Sequence, residues 1–245
     1  MSTASTVHRN GAGEDGADVH IIAAVISAAA PLSAELVESV TALARRAEDA
    51  AAGVRHCVVL YISGAPSREY FAWPGEVAVG DVGKWEAALR RLEQVPMPII
   101  ATVDGQAYGP AAELLLVADY RILRADSEFR FAASAAGIWP AMGIYRLAAQ
   151  IGAGRARDLV IQGRGLTAAA AVERGLVDVV ATDAEAETGA IRAGLALFES
   201  AVGSEVAIRR RLLLDAMTTR FEDALGAHLA ASDRTLRRSR AGAVS

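Results

Sequence analysis

The stretch PIIATVDGQAYGPAAELLLVADYRILRADSEFRFAASAAGIWPAMGIYRL, residues 98–147, decides how this chain reads. It opens on an apolar β-branched run at residues 99–103, which predicts a strand. A Gly-rich turn follows, with Gly105 and Gly109. Pro110 then suits the first position of a helix, because its missing N–H is one that no helix start can use. Glu113 falls in the first turn of that helix, where the helix dipole favours an acid. A second strand is expected around residues 120–123, and a Gly/Pro loop closes the stretch.

Working outward, residues 20–27 (HIIAAVIS) predict a strand. Residues 31–52 carry Leu32, Leu36, Val40 and Leu43 at helical spacing, with Ser33 as N-cap before Glu35. Residues 54–63 predict a second strand, ended by the turn GAPS. Residues 82–94 predict an amphipathic helix, stopped by Pro96 and Pro98. Beyond the central stretch, residues 155–162 and 168–174 read as helices and residues 176–181 as a strand. From Glu185 onward the chain reads as helical. Strands alternating with helices, then helices alone, indicate an α/β fold with a helical C-terminal extension. The expected division is a polar disordered tail at 1–18, a core at 19–184 and a helical oligomerisation region at 185–245.

Composition narrows the function classes. The chain has 245 residues, 53% hydrophobic and 22% charged, which suits a globular protein with a sizeable core. A net charge of −4 argues against nucleic acid as a partner. The single cysteine, Cys57, sits in the apolar run CVVLYI and is expected to be buried; one cysteine allows no internal disulfide and suits the cytoplasm. No apolar run reaches membrane-spanning length, and the N-terminus lacks an apolar signal core. The four histidines show no metal-ligand spacing, so no metal is expected. Neither a P-loop nor a dinucleotide fingerprint follows a strand, so no nucleotide or hydride cofactor is expected.

Five segments occur in order: MPIIATVDG (97–105), AYGPAAEL (107–114), ADYRIL (118–123), GIWPAMGIYRL (137–147) and QGRGLTAAAAVERGLVDVV (162–180). In text and spacing they resemble the crotonase, or enoyl-CoA hydratase/isomerase, superfamily. The resemblance implies a spiral of ββα turns with C-terminal helices that make homo-trimers. It also implies an acyl-CoA thioester as substrate, its enolate oxygen held by two backbone N–H groups. Carried onto this sequence, Glu113 is the catalytic carboxyl. Gly75, in FAWPGEV, corresponds to one oxyanion donor. Gly109 and Ala111 flank Pro110, which stands at the other donor and has no N–H to give. The second glutamate of the hydratases corresponds to Ala133, so a two-carboxylate hydration is not available. The segment between Gly75 and Pro98 is shorter than in a typical hydratase, in a region that normally helps to hold CoA.

Each of these positions also has a plainer reading. Glu113 is either a lone proton shuttle or an acid placed by the helix dipole. Trp73 and Trp139 either line a pocket for a planar acyl group or simply pack. Tyr145 and Ser134 lie near the missing acid in sequence. Asp104 and Asp119 read as turn and strand-end residues.

Within the superfamily, WEAALRRLE (85–93), WPAMGIYRL (139–147) and the tail from Ala207 to Arg234 are similar to a branch of auxiliary crotonase-like proteins. That branch works beside a type III polyketide synthase in forming 3,5-dihydroxyphenylacetyl-CoA, with other crotonase-like proteins as partners. Two functions follow as expectations: a lyase that dehydrates and aromatises a polyketidyl-CoA through Glu113, or a non-catalytic partner of the synthase. An ordinary enoyl-CoA hydratase is the third reading.

Overall fold

Strand β3 (Arg55–Gly64) shows why the sheet is buried on both faces. Its side chains alternate, with Val58, Leu60 and Ile62 entering one apolar cluster and Cys57 and Val59 another. Strands covered on both sides read as continuous apolar runs, and parallel sheets require such cover. The computed structural model describes residues 4–5, 19–28, 30–50, 53–64, 77–134, 137–200 and 204–242.

Around β3 lie β2 (Val19–Ser27), β4 (Ile99–Tyr108), β5 (Tyr120–Arg124) and β10 (Val179–Ala181), paired in parallel in the order β2-β3-β4-β5-β10. In the segment expected to be a tail, Ala4–Ser5 forms a two-residue strand, β1, antiparallel to the edge of β2; the other residues of 1–18 lie outside the described ones. Helices α1 (Ala34–Glu48), α2 (Val79–Glu93) and α3 (Pro110–Leu116) feed the larger cluster through residues such as Leu36, Trp85, Leu89 and Leu114. Helix α7 (Ala184–Leu197) covers the other face through Ile191. The result is the α/β fold expected from the sequence.

Several boundaries differ from expectation for identifiable reasons. Helix α1 starts as predicted, with the Ser33 hydroxyl accepting from the Leu36 N–H at 3.1 Å. Helix α2 begins three residues before Val82, because the Asp81 carboxylate reaches back to the Ala78 N–H at 3.1 Å. Strand β4 does not end at Val103. It pairs with β3 as far as Gly105, then exchanges partners and runs beside β6 (Glu128–Arg130) through Gln106–Tyr108. Gly105 makes the exchange feasible: its φ is +116°, and a Cβ there would lie 2.3 Å from the Gly64 carbonyl oxygen.

The loop expected at GIWPAMGIYRL contains a helix, α4 (Met142–Ile151), followed by α5 (Ala153–Ile161). Gly143, Arg146, Leu147 and Ile151 form the buried stripe of α4, a period hidden by the Pro140–Gly143 text. The short strands β7 (Ala133–Ser134), β8 (Gly137–Ile138) and β9 (Leu166–Thr167) are too brief to show a period in sequence. Helix α6 (Ala168–Glu173) packs beside β9 and β10.

The C-terminal region is helical as expected: α8 (Glu205–Asp215) and α9 (Phe221–Gly242). Arg210 ties α8 to the core. Its guanidinium pairs with Asp119 and donates to the carbonyl oxygens of Glu93, Val95 and Met97 at 2.7–3.2 Å. Asp119 also accepts from the Ile99 N–H, so it is the strand-end residue that the sequence indicates. Helix α9 leaves Phe221, Leu225, Leu229 and Leu236 exposed. No helix among the described residues is long and apolar enough to cross a membrane.

Candidate active site

The turn from β4 into α3 builds the site. Gly109 caps the helix at φ 55°, ψ −124°, a conformation that lets the chain reverse over a short distance. Pro110 follows at the first helical position, and the Glu113 N–H bonds the Gly109 carbonyl at 3.2 Å. Every residue of α3 is buried, so Glu113 enters the core and is only 6% exposed.

Two distant segments meet its carboxyl group. The Trp85 indole N–H of α2 donates to Oε2. The backbone N–H of Gly143, at the start of α4, bonds the same carboxyl. Gly143 lies close because it has no side chain: a Cβ would stand 3.0 Å from Glu113 Cγ and from Phe131, and 3.2 Å from Glu113 Oε1.

Behind these groups is an ion cluster in which Arg146 and Glu93 are buried and Glu86 is half-buried. Arg146 of α4 holds Glu86 in a two-pronged contact at 2.7 and 2.8 Å, and Glu93 at 3.3 Å. Its guanidinium is thereby stabilised in the charged form despite burial.

These surroundings set the proton affinity of Glu113. Burial is the largest effect and pushes its pKa up from 4.5 to about 7. The Trp85 hydrogen bond, the positive charge of Arg146 and the Gly143 N–H oppose the rise; Glu86 adds to it. A carboxyl that titrates near neutrality is populated in both forms, which suits a group that both takes and returns a proton.

Of the other sequence-predicted residues, Gly109 and Ala111 lie in the same turn as Glu113, with Ala111 buried. Trp73 and Gly75 lie outside the described residues. Trp139 packs against the main cluster, its backbone N–H bonded to the Ala132 carbonyl at 2.8 Å. It thus stands beside Ala133, whose N–H bonds the Tyr108 hydroxyl at 3.1 Å. Tyr145 is 54% exposed and faces a groove of about 530 Å³ between α2, α4 and α8. Asp104 pairs with Arg124 at 3.5 Å on the surface. Cys57 is buried, and burial pushes its thiol pKa up, away from reactivity. No cluster of metal-ligating side chains occurs among the described residues.

Sequence reasoning missed Trp85, Gly143 and Arg146. Trp85 falls in the apolar stripe of α2 with Leu89 and Leu92, where it reads as packing. Gly143 and Arg146 fall in a segment read as a loop. Only the buried stripe of α4 could have signalled them.

Residues 81–241 match the family model described as enoyl-CoA hydratase/isomerase. An enoyl-CoA hydratase of Amycolatopsis orientalis is 42% identical over 215 residues, covering 87% of this chain and 94% of that protein. The crystal structure of an enoyl-CoA hydratase from Bacillus anthracis superposes with a TM-score of 0.76 at 24% identity, covering 96% of this chain and 91% of that one. A Thermobifida fusca YX structure in complex with acetoacetyl-CoA gives a TM-score of 0.72 at 20% identity, covering 97% and 96%. The chain belongs to the enoyl-CoA hydratase/isomerase family.

Proposed function

We propose that this protein acts on an acyl-CoA thioester by a one-carboxyl elimination. In the finer form of this reading it dehydrates and aromatises a polyketidyl-CoA made by a type III polyketide synthase, on the way to 3,5-dihydroxyphenylacetyl-CoA. The observation that carries the elimination is Glu113: buried, titrating near 7, and without a second acid at Ala133. Family membership supports hydratase/isomerase-type chemistry on CoA thioesters. The polyketide branch rests on the sequence likeness of residues 85–93, 139–147 and 207–234.

The chemistry needs one group to move one proton twice. Ionised Glu113 removes the proton α to the thioester carbonyl. The electrons of that C–H bond pass to the carbonyl oxygen, giving an enolate. The first amide beyond Pro110, at Ala111, and the Gly75 N–H are the donors assigned to that oxygen; each such donor is typically worth about 10²–10³ in rate. Protonated Glu113 then delivers the same proton to the β-hydroxyl. The C–O bond breaks, water leaves, the double bond forms and the carboxylate is restored. Trp73 and Trp139 are assigned to the walls around a planar ring. No cofactor takes part beyond the CoA of the substrate. Helices α8 and α9, with Phe221 77% exposed, are assigned to a homo-trimer contact. The setting is cytoplasmic, beside the synthase and other crotonase-like proteins.

A second reading is a non-catalytic partner that binds or stabilises the synthase. Pro110 and Ala133 favour it, since a donor position of the family carries no N–H there and the second acid is absent. Plain enoyl-CoA hydration is the third reading; it agrees with the family and lacks the second carboxyl at Ala133.

Reconstitution separates the three. Purified protein is added to the synthase with malonyl-CoA, and aromatic product is followed by mass spectrometry beside Glu113→Gln. Product raised by the native protein alone supports the lyase. Equal stimulation by both supports the partner. No stimulation, with hydration of a short enoyl-CoA instead, supports the hydratase.

A further inference from the structure

Trp85 is buried on α2, 28 residues before Glu113, and its ring packs with Leu89 and Leu92 in the main cluster. Packing alone accounts for a large apolar ring at this site but not for its N–H lying on the carboxyl group. An indole N–H donates and never accepts. An oxygen that receives it is favoured in the anionic state, and a proton placed on that oxygen weakens the bond.

We propose that Trp85 is a positioning residue for Glu113: its N–H holds Oε2 and so fixes the carboxyl in the rotamer that takes up and releases the substrate proton. The inference rests on the proton-transfer role assigned to Glu113 above. It adds what holds the carboxyl in place. The cost of a wrong rotamer is large in a site where reacting atoms must lie within about 3–3.5 Å of one another. A buried carboxyl with one oxygen pinned cannot turn away.

The charged groups around the carboxyl come from two elements. Arg146 faces it from α4, and Glu86 and Glu93 of α2 hold Arg146 in place. With the indole N–H removed, Arg146 and the Gly143 N–H alone favour the ionised form. The titration of Glu113 then moves upward, by about one pH unit or roughly tenfold in proton affinity, as expected for one hydrogen bond to a charged group.

Two measurements test this on the full chain. In the first, without substrate, the carboxyl C=O band of Glu113 is followed by difference infrared spectroscopy against pH and assigned by its loss in Glu113→Gln. The native protein is compared with Trp85→Phe and with a form carrying 3-benzothienylalanine at position 85, which keeps the bicyclic ring and lacks the N–H. The midpoint is expected to rise by about one unit in both. An unmoved midpoint in a folded variant overturns the proposal. In the second, deuterium uptake α to the carbonyl of an acyl-CoA is measured. Loss of the N–H is expected to lower kcat about tenfold or more with KM unchanged, the signature of an aligned group rather than a binding contact. A raised KM at unchanged kcat overturns the proposal. A shifted midpoint with no uptake by the native protein overturns the proton-transfer reading instead and leaves the hold of Trp85 on the carboxyl supported.

Discussion

Replacing Glu113 by Gln should make the protein's stability less dependent on pH between 5 and 8. In the folded chain the carboxyl titrates at about 7; in the unfolded chain it titrates near 4.5. Between these values the folded state binds more protons than the unfolded state, so stability falls as pH rises. The contribution is fully present below about 4.5 and is lost as pH passes through about 7. Its full span, about 2.5 pH units at 1.36 kcal/mol each, is on the order of 3 kcal/mol. From pH 5 to pH 8 alone, about 2.5 kcal/mol of that is lost. Gln keeps the shape and cannot ionise. The assay is urea denaturation at fixed protein concentration at pH 5, 6, 7 and 8, for the native chain and Glu113→Gln. The difference between the two stabilities should change by about 2–3 kcal/mol across this range, with the variant gaining relative to the native chain as pH rises. Parallel curves would refute the reasoning, because they would mean that burial does not hold the proton on this group.

Three further substitutions have expected outcomes. Arg210→Met removes the charge that Asp119 faces and three carbonyl contacts, so about 3–5 kcal/mol should be lost and thermal unfolding should come on the order of 10 °C earlier; an unchanged melting temperature would show that α8 does not depend on this tether. Gly143→Ala places a methyl 3.0 Å from Glu113 Cγ and Phe131; it should cost about 1–3 kcal/mol and lower activity, read by melting and by thioester turnover in the reconstituted system. Gly105→Ala puts a Cβ 2.3 Å from the Gly64 carbonyl at φ +116°; soluble yield and near-ultraviolet circular dichroism should both fall sharply, and a native-like spectrum would show that the crossing of β4 can relax.

The parts of this protein legible in its sequence are those set by neighbours along the chain. Apolar runs between Gly and Pro punctuation gave the parallel strands. Ser33 marked a helix start because its hydroxyl serves an amide three residues on. Pro110 and Glu113 marked the start of α3. Where local text and long-range pairing differ, the sequence was silent. Strand β4 continues past Gly105 only because β6 offers a second partner. Helix α4 was masked by the Pro and Gly residues at its start.

The site divides in the same way. That Glu113 is a carboxyl at a helix start is a property of a few consecutive residues. Its titration near neutrality is not, because desolvation depends on what surrounds the group in space. Trp85 reaches Glu113 from α2, and Gly143 and Arg146 reach it from α4. Only the folding of the sheet and helices onto one core brings them there. The sequence by itself determined the main strands and helices, the family and an acid at the start of α3; the tertiary structure decided that this acid is buried, held by an indole and an amide, and able to exchange its proton at neutral pH.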